Sequence, residues 1–180
     1  MALLGVVMAV VICFFSFAGV VGTNDCSDPR GHLAFKTLQS TDEIHMLYTD
    51  FNASVIVCTY TMTTSVDSST ISVSGNFIYQ INNLPVVYTD PVTTKVENCE
   101  GLIGVYNGTS GEKVSQAVMY SNFETCNINF NIEQQGLHFS ECQLWAYESA
   151  TNDDFQACLA TYKTLRDGEI YEVYSSTCLT

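Results

Sequence analysis

The sequence predicts an all-β fold, a barrel or sandwich of antiparallel strands with a short helix before the strands and a longer helix after them. Eight or nine short runs of β-branched and aromatic residues recur at regular spacing, which is typical of these architectures. One apolar stripe with the period of a helix follows near the C-terminus. Three prolines in 180 residues leave no obvious linker, so we expect one folded domain.

The strands are predicted from apolar residues that alternate with polar ones and from turn residues between the runs. Closing about eight such strands leaves an interior that can hold one small ligand, whereas a sandwich has a solid core. The pattern alone leaves both architectures open. The predicted strands cover residues 44–48, 55–62, 71–79, 86–88, 96–106, 114–120, 123–132 and 138–147, with a last extended segment at 170–174.

Two helices flank the strands. A short helix is expected at residues 32–40, and a longer one is expected to begin at Asn152 as N-cap and to end at Gly168. The apolar residues of the longer helix recur at three- and four-residue steps, so this helix must lay one face on the outside of the sheet. That face consists of Phe155, Cys158, Leu159, Tyr162 and Leu165.

Residues 1–22 are predicted to be a cleavable signal peptide, and residues 23–180 the folded domain. The segment has no charged side chain, and its apolar run has the length of a signal core. Small residues offer cleavage after Ala18 or after Gly22. A membrane anchor is the alternative, since the run approaches the ~20 residues that span a bilayer. We expect a secreted, extracellular protein without a membrane anchor.

Cysteines and glycosylation sequons also indicate export. Seven cysteines remain after the predicted leader, which is typical of a disulfide framework in an oxidising compartment. Asn52 and Asn107 each begin an N-x-S/T sequon and are predicted to be glycosylated. The seven cysteines are Cys26, Cys58, Cys99, Cys126, Cys142, Cys158 and Cys178.

The charge and the missing motifs exclude several functions. The formal net charge is −13 with only six lysines and arginines, so nucleic acid is not an expected partner. The sequence contains no nucleophile elbow, phosphate loop or zinc-protease motif. Its three histidines are dispersed without metal-ligand spacing. We therefore expect no catalytic residues, no metal and no cofactor, and no enzyme.

The C-terminal third contains the segments 126–128 (Cys-Asn-Ile) and 143–145 (Gln-Leu-Trp), followed by Cys158. This pattern resembles the signature of the salivary lipocalins of ticks, the family of the histamine-binding proteins. In that signature a Cys-Asp-aliphatic triplet is followed by Glu-Leu-Trp and then by a cysteine. The tail at 173–179 and the segment 35–39 are similar to the family's C-terminal tail and N-terminal helix. The resemblance implies a lipocalin-like eight-stranded antiparallel barrel with the longer helix packed outside.

The same resemblance implies two disulfide bridges. They are Cys58–Cys178, which ties the tail to an early strand, and Cys126–Cys158, which pins the longer helix. Related proteins often have a third bridge from near the N-terminus, so Cys26 is expected to pair with Cys142 or Cys99. One thiol is then left over, either buried or available for pairing between molecules.

The ligand pocket of this chain departs from the amine-binding members. In those members the Asp and Glu of the signature point into the barrel and hold histamine or serotonin, whereas this chain has Asn127 and Gln143. An amide offers a donor and an acceptor but no charge. If Cys126 and Cys142 face outwards, strand alternation places the amides inside. The opposite register, with Ile128, Phe130 and Ile132 inside, is the alternative. The predicted ligand-binding residues are Asn127, Asn129, Gln143 and Trp145.

These observations predict a secreted salivary lipocalin that binds a small, mostly apolar ligand and modulates host immune or inflammatory defence. A sterol, a fatty acid or an eicosanoid would fit, as in the lipid-binding, japanin-like members of the family. One alternative is a scavenger of histamine or serotonin that uses relocated acids such as Glu141. Another is a decoy that binds host immune cells or proteins through its surface.

Overall fold

The computed structural model describes residues 33–39, 43–51, 55–97, 101–132, 139–166 and 168–179. The predicted signal peptide, Cys26, Cys99 and the sequon at Asn52 lie outside the described residues. None of the helices in the described ranges combines the length and the apolar character that crossing a membrane requires.

Within the described residues, nine antiparallel strands form one sheet that closes into a barrel. Neighbours pair in the order β2-β3-β4-β5-β6-β7-β8-β1-β9, and an additional pairing of β1 with β2 closes the ring. Eight strands make the barrel, and β9 is an extra strand beside β1. The strands are β1 (Ile44–Thr49), β2 (Ile56–Asp67), β3 (Ser72–Ile81), β4 (Val87–Val96), β5 (Leu102–Asn107), β6 (Lys113–Ser121), β7 (Cys126–Ile132), β8 (Phe139–Tyr147) and β9 (Tyr171–Glu172).

The predicted single strand at 96–106 is wrong in its first part. Val96 ends β4 and Leu102 begins β5, so this segment contains a change of direction. The amide of Glu97 donates to the carbonyl of Leu102 at 2.8 Å, and Gly101 has a φ of 102°. A glycine adopts this left-handed conformation without steric cost, which allows the chain to turn back here. The strand predicted at 86–88 is correspondingly longer and runs to Val96.

Helix α1 (Leu33–Leu38) lies across one end of the barrel. Ala34 is buried against Ile103 and Val118, and the Tyr147 hydroxyl donates to the Thr37 carbonyl at 2.7 Å. We call the end that α1 covers the closed end. The other end, where β1–β2, β3–β4 and β5–β6 are connected, is called the open end. The predicted short N-terminal helix is confirmed. It covers one end of the barrel.

Helix α2 (Asn152–Leu165) packs on the outside of the barrel, as predicted, but begins differently. Thr151, not Asn152, is the N-cap, because Thr151 has an extended backbone and its hydroxyl accepts from the amide of Asp154 at 3.4 Å. Arg166 is the C-cap, two residues before the predicted stop at Gly168. The Arg166 side chain forms an ion pair with Asp50 at the beginning of the β1–β2 connection.

The side of β7 and β8 that faces α2 forms the main outer core. The bridge Cys126–Cys158 joins β7 to α2, and Cys58–Cys178 joins β2 to a short 3-10 helix (Ser176–Leu179). Because Ile128 lies in this outer core, the alternative register with that face inside the barrel is wrong. The fully or almost fully buried members are Cys126, Ile128, Phe130, Cys142, Leu144, Ala146, Cys158 and Tyr162.

In the described part of the chain Cys142 is a free cysteine, which corrects its inclusion among the bridging cysteines. Its side chain is fully buried in the outer core, and its free thiol is enclosed there by α2. The Cys142 amide donates to Asp50 at 2.7 Å, and the Tyr162 hydroxyl donates to the Cys142 carbonyl at 3.0 Å. Burial raises the pKa of the thiol to about 12, and the nearby Asp50 carboxylate adds to this effect. A neutral, enclosed thiol is chemically inert.

Removing the Cys58–Cys178 bridge by serine substitution is expected to lower the free energy of unfolding more than removing Cys126–Cys158. The two bridges span 120 and 32 residues. In the chain-entropy model these separations correspond to about 5 and about 4 kcal/mol. Guanidinium denaturation followed by circular dichroism measures both losses. A larger loss for the shorter loop would show that α2 packing, rather than loop closure, dominates.

Cys142 is expected to resist alkylation in the folded protein. At pH 8.5 iodoacetamide should leave the peptide containing Cys142 unlabelled, whereas the same treatment in guanidinium should label it fully. Because the folded pKa lies above the unfolded one, the thiol stabilises the fold below about pH 9, and this contribution is lost as the pH rises towards 12. Peptide mass spectrometry measures the label, with Cys142→Ser as the control. Rapid labelling without denaturant would contradict the burial.

Candidate ligand-binding cavity

The barrel encloses a cavity of about 350 Å³, a size found for small-molecule sites. It extends from Leu38 of α1 at the closed end to Asn107 and Glu112, which flank the β5–β6 connection at the open end. Much of its wall is apolar and comes from alternate residues of successive strands. The apolar lining residues are Leu38, Ile44, Met46, Met62, Val73, Phe77, Val92, Ile103, Val105, Val114 and Trp145.

All four predicted ligand-binding residues line this cavity. Asn127 is the cross-strand partner of Trp145, and Asn129 is the partner of Gln143, so the four side chains share one patch of wall. All four are buried. The alternation argument from the outward cysteines therefore placed the amides correctly, and their role in binding remains a proposal.

A hydrogen-bonded row of amides crosses the wall. The Gln143 carbonyl oxygen Oε1 accepts from the Trp145 indole at 3.0 Å and from Gln116 Nε2 at 3.4 Å. Gln116 Nε2 also donates to Asn131 Oδ1 at 2.8 Å, and Gln116 Oε1 accepts from Asn129 at 3.5 Å. Sequence reasoning missed Gln116 and Asn131. Asn131 lies on the same face of β7 as Asn127 and Asn129, because the three are spaced two residues apart. This spacing could have identified Asn131 as a residue of the cavity wall.

Two amide oxygens in this wall have no partner in the described part of the chain. They are Oδ1 of Asn127 and Oδ1 of Asn129, in side chains of residues that are only 4% and 8% exposed. A buried acceptor without a hydrogen bond costs about 1–3 kcal/mol. Neither oxygen presents surface that a water molecule could touch, so both are closed off from the lumen in this structure.

The open half of the cavity is acidic. Glu112 lines it, and Glu141 accepts from the Thr49 hydroxyl at 3.2 Å and from the Asn131 side-chain amide. No lysine, arginine or histidine occurs among the described residues that line the cavity. In the described ranges no group of three or more His, Cys, Asp or Glu side chains could hold a metal ion. Among the described lining residues, the wall therefore presents amides and the carboxylate of Glu112 but no positive charge.

The second sequon also lies at this end. Asn107 lines the rim of the cavity, and its Oδ1 accepts from the amides of Thr109 and Ser110, each at 2.8 Å. Thr109 is exposed. Glycosylation of Asn107 remains a prediction, and a glycan there would stand beside the opening.

A second cavity, of about 440 Å³, is a groove on the outside of the barrel. The His45 ring stacks on Tyr174 with 4.1 Å between ring centroids, and Tyr48 stacks on Phe155 at 6.0 Å. None of the predicted ligand-binding residues lines this groove. The inner cavity is therefore the candidate site.

The fold resembles that of several solved structures. The AM182 serotonin complex is 18% identical, with a TM-score of 0.59 over 81% of this chain and 91% of that chain. Japanin from Rhipicephalus appendiculatus bound to cholesterol is 15% identical, with a TM-score of 0.60 over 79% and 98%. Lobster apocrustacyanin A1 is 10% identical, with a TM-score of 0.59 over 86% and 89%. These similarities confirm the predicted lipocalin fold.

Among curated protein sequences, none matches this chain. A family profile described as tick histamine binding protein matches residues 31–180. This match covers the barrel, both helices and the lumen amides. The chain belongs to the tick histamine-binding protein family of lipocalins.

Proposed function

We propose that this protein is a secreted salivary lipocalin that holds a small, mostly apolar ligand without a positive charge in its barrel. The observation that carries the proposal is the pair Asn127 and Gln143, amides at the signature positions where the amine-binding pattern has acids. Both line the cavity and both are buried. The ligand is of the sterol, fatty acid or eicosanoid type. The protein acts by binding rather than by catalysis.

The energetics of burial argue against a positively charged ligand. An ammonium or imidazolium ion that leaves water needs a counter-charge, and without one the cost is several kcal/mol. Asn127 and Gln143 provide dipoles only. The serotonin complex and the cholesterol complex share this fold at nearly equal TM-scores, so the fold does not choose between such ligands. The side chains that line the cavity determine which kind of ligand binds.

The biological setting follows from the family and from the predicted leader. Residues 1–22 direct export, and glycans at Asn52 and Asn107 are added on that route. In saliva, a lipocalin that removes or delivers a lipid mediator would modulate host immune or inflammatory defence. A decoy that acts on a host protein through its surface is the alternative within the same fold.

Amine binding is the second candidate, and one observation favours it. Glu112 lines the open half of the cavity, and Glu141 lies beside the lining residue Asn131. These carboxylates could hold an ammonium group near the open end instead of at the signature positions. Both oxygens of Glu141 already accept hydrogen bonds from neutral partners, which leaves Glu112 as the accessible charge.

Native mass spectrometry of the secreted protein tests the proposed function. We expect a co-purifying species with the mass of a lipid, which organic extraction should release. As a control, denatured protein should carry no such species. An empty barrel that still alters immune cells would favour the decoy, and a bound histamine or serotonin would favour the second candidate.

Restoring the acids is expected to create amine affinity. The double variant Asn127→Asp, Gln143→Glu should bind histamine at least about tenfold tighter than the parent, because each carboxylate supplies a counter-charge in a buried wall. Isothermal titration calorimetry measures both constants. The variant Gln80→Glu, Asn83→Asp adds the same charge away from the cavity lining and should bind no better than the parent.

Micromolar or tighter binding of histamine by the parent protein would contradict the assignment of a neutral site. In that case the variant Glu112→Gln shows whether the open-end carboxylate is responsible.

A further inference from the structure

We propose that the outer groove is a docking site for a protein partner and receives an arginine side chain from a basic segment of that partner. The groove is the cavity of about 440 Å³ on the outside of the barrel. Among the described residues, its lining shares no member with that of the barrel cavity. This inference therefore goes beyond the proposed function and does not depend on what the barrel holds.

One wall of the groove is a set of aromatic rings in fixed positions. The His45 ring stacks on Tyr174, and Tyr60 meets the two rings edge-on at centroid distances of 5.7 and 6.3 Å. A disulfide bridge anchors the tail that carries Tyr174 to β2. Because this wall is already ordered, a partner that lies on it loses little conformational entropy in arranging it.

A bulge in β1 brings a second pair of rings to the groove. Alternation along a regular strand would turn only one of two consecutive residues outwards. The register of β1 against β8 shifts between Met46 and Tyr48, and both Leu47 and Tyr48 line the groove. Tyr48 stacks on Phe155 of α2. The groove therefore has aromatic rings from β1, from α2 and from the C-terminal tail.

The charge of the groove is negative. Glu148 and Glu172 line it, and both are exposed. Burial raises the pKa of the Tyr48 hydroxyl, and the Glu172 carboxylate raises it further. Burial also raises the pKa of Tyr174, with a further contribution from Glu43. No lysine or arginine occurs among the described lining residues. Aromatic faces beside carboxylates that lack a cation of their own are complementary to a cation.

Two polar atoms in this wall lack a partner. They belong to His45 and Tyr174, which are each 8% exposed. The His45 nitrogen Nε2 lies 3.3 Å from a Glu43 oxygen, and because a carboxylate only accepts, Nε2 carries the proton and the neutral ring has an acceptor at Nδ1. Neither Nδ1 nor the Tyr174 hydroxyl has a hydrogen-bond partner in the described part of the chain. Unlike the amide oxygens of Asn127 and Asn129, neither atom is closed off from solvent.

Arginine from a protein fits this combination better than a small free amine. Its planar guanidinium stacks on aromatic rings and donates N–H groups from its edge to carboxylates and to other acceptors. Small-molecule sites bury about 70–90% of the ligand surface. This groove is open, and its rim residues Glu148, Thr151 and Glu172 are exposed, so a small amine would stay largely in water. A protein partner covers the open side itself, and the net charge of −13 favours the approach of a basic surface.

Two peptides test the proposal by NMR on the secreted protein with its disulfides intact. The probe is Ac-Gly-Ser-Arg-Gly-Arg-Ser-Gly-NH2, and its control replaces both arginines by citrulline, which has nearly the same shape without the charge. The titration is done at physiological ionic strength, where the Debye length is about 8 Å. We expect the arginine peptide to shift the ring resonances of Tyr48, Phe155 and Tyr174 and to bind at least about fivefold tighter than the citrulline peptide.

Removal of the rim charges assigns the binding to the groove. The variant Glu148→Gln, Glu172→Gln should bind the arginine peptide at least about threefold more weakly and the citrulline peptide as before. The control variant Glu124→Gln, Glu169→Gln removes the same charge from exposed residues outside the groove lining and should keep the affinity. Amide spectra verify the fold of each variant.

The results that would overturn the inference leave the proposed function in place, because that function concerns the lumen. Equal binding of the two peptides, or an equal loss of affinity in the control variant, would show no recognition by the groove. Shifts confined to residues of the barrel cavity, or no shifts at all, would also overturn it. If histamine bound at the same rings more tightly than the arginine peptide, the groove would be a small-amine site instead.

Discussion

The bridge between Cys126 and Cys158 sets the orientation of the strands that carry the site. It holds β7 against α2, and so the face of β7 that contains Cys126, Ile128 and Phe130 must lie outside the barrel. Because side chains alternate along a strand, Asn127 and Asn129 must then lie inside. A shift of one residue would expose the outer core and put its apolar side chains in the lumen. The register of the site is therefore a consequence of how α2 is attached.

The same constraint separates the fold of this chain from the charge of its lumen. The bridge and α2 fix the strand register from the outer face, whereas Asn127 and Gln143 lie on the face that lines the cavity. In this chain the amides are held together by the Gln143–Trp145 and Gln116–Asn131 hydrogen bonds. These hydrogen bonds hold the wall in place, and at the closed end it presents amides rather than charged groups.

Much of the fold could be predicted because local patterns and tertiary packing agree. Three features can be recognised in the sequence itself: the alternation along the strands, the apolar face of α2 and the cysteines that face outwards. The incorrect predictions concern places where two local conformations fit the sequence almost equally well. Thr151 and Asn152 are both good N-caps, and backbone geometry decided between them. The turn near Gly101 follows a run of strand-forming residues, and only the glycine conformation marks it.

The candidate site was predictable as a set of residues but not as a network. The alternation of side chains along a strand places Asn127 and Gln143 inside the barrel. The hydrogen bonds of the amide oxygens, however, depend on distances between three strands. Gln116 comes from β6, and no local pattern reveals that it meets both Gln143 and Asn131. The sequence does not reveal the free thiol of Cys142 either. It lies in the same buried core as Cys126 and Cys158, and these two cysteines bond to each other, which only the three-dimensional arrangement reveals.

A crystal structure of the secreted protein with its co-purifying ligand tests the central claim most directly. The account predicts a ligand inside the barrel, in contact with Trp145 and with the side chains of Asn127 and Gln143. An empty lumen with the ligand in the outer groove beside His45 and Tyr174 would contradict it.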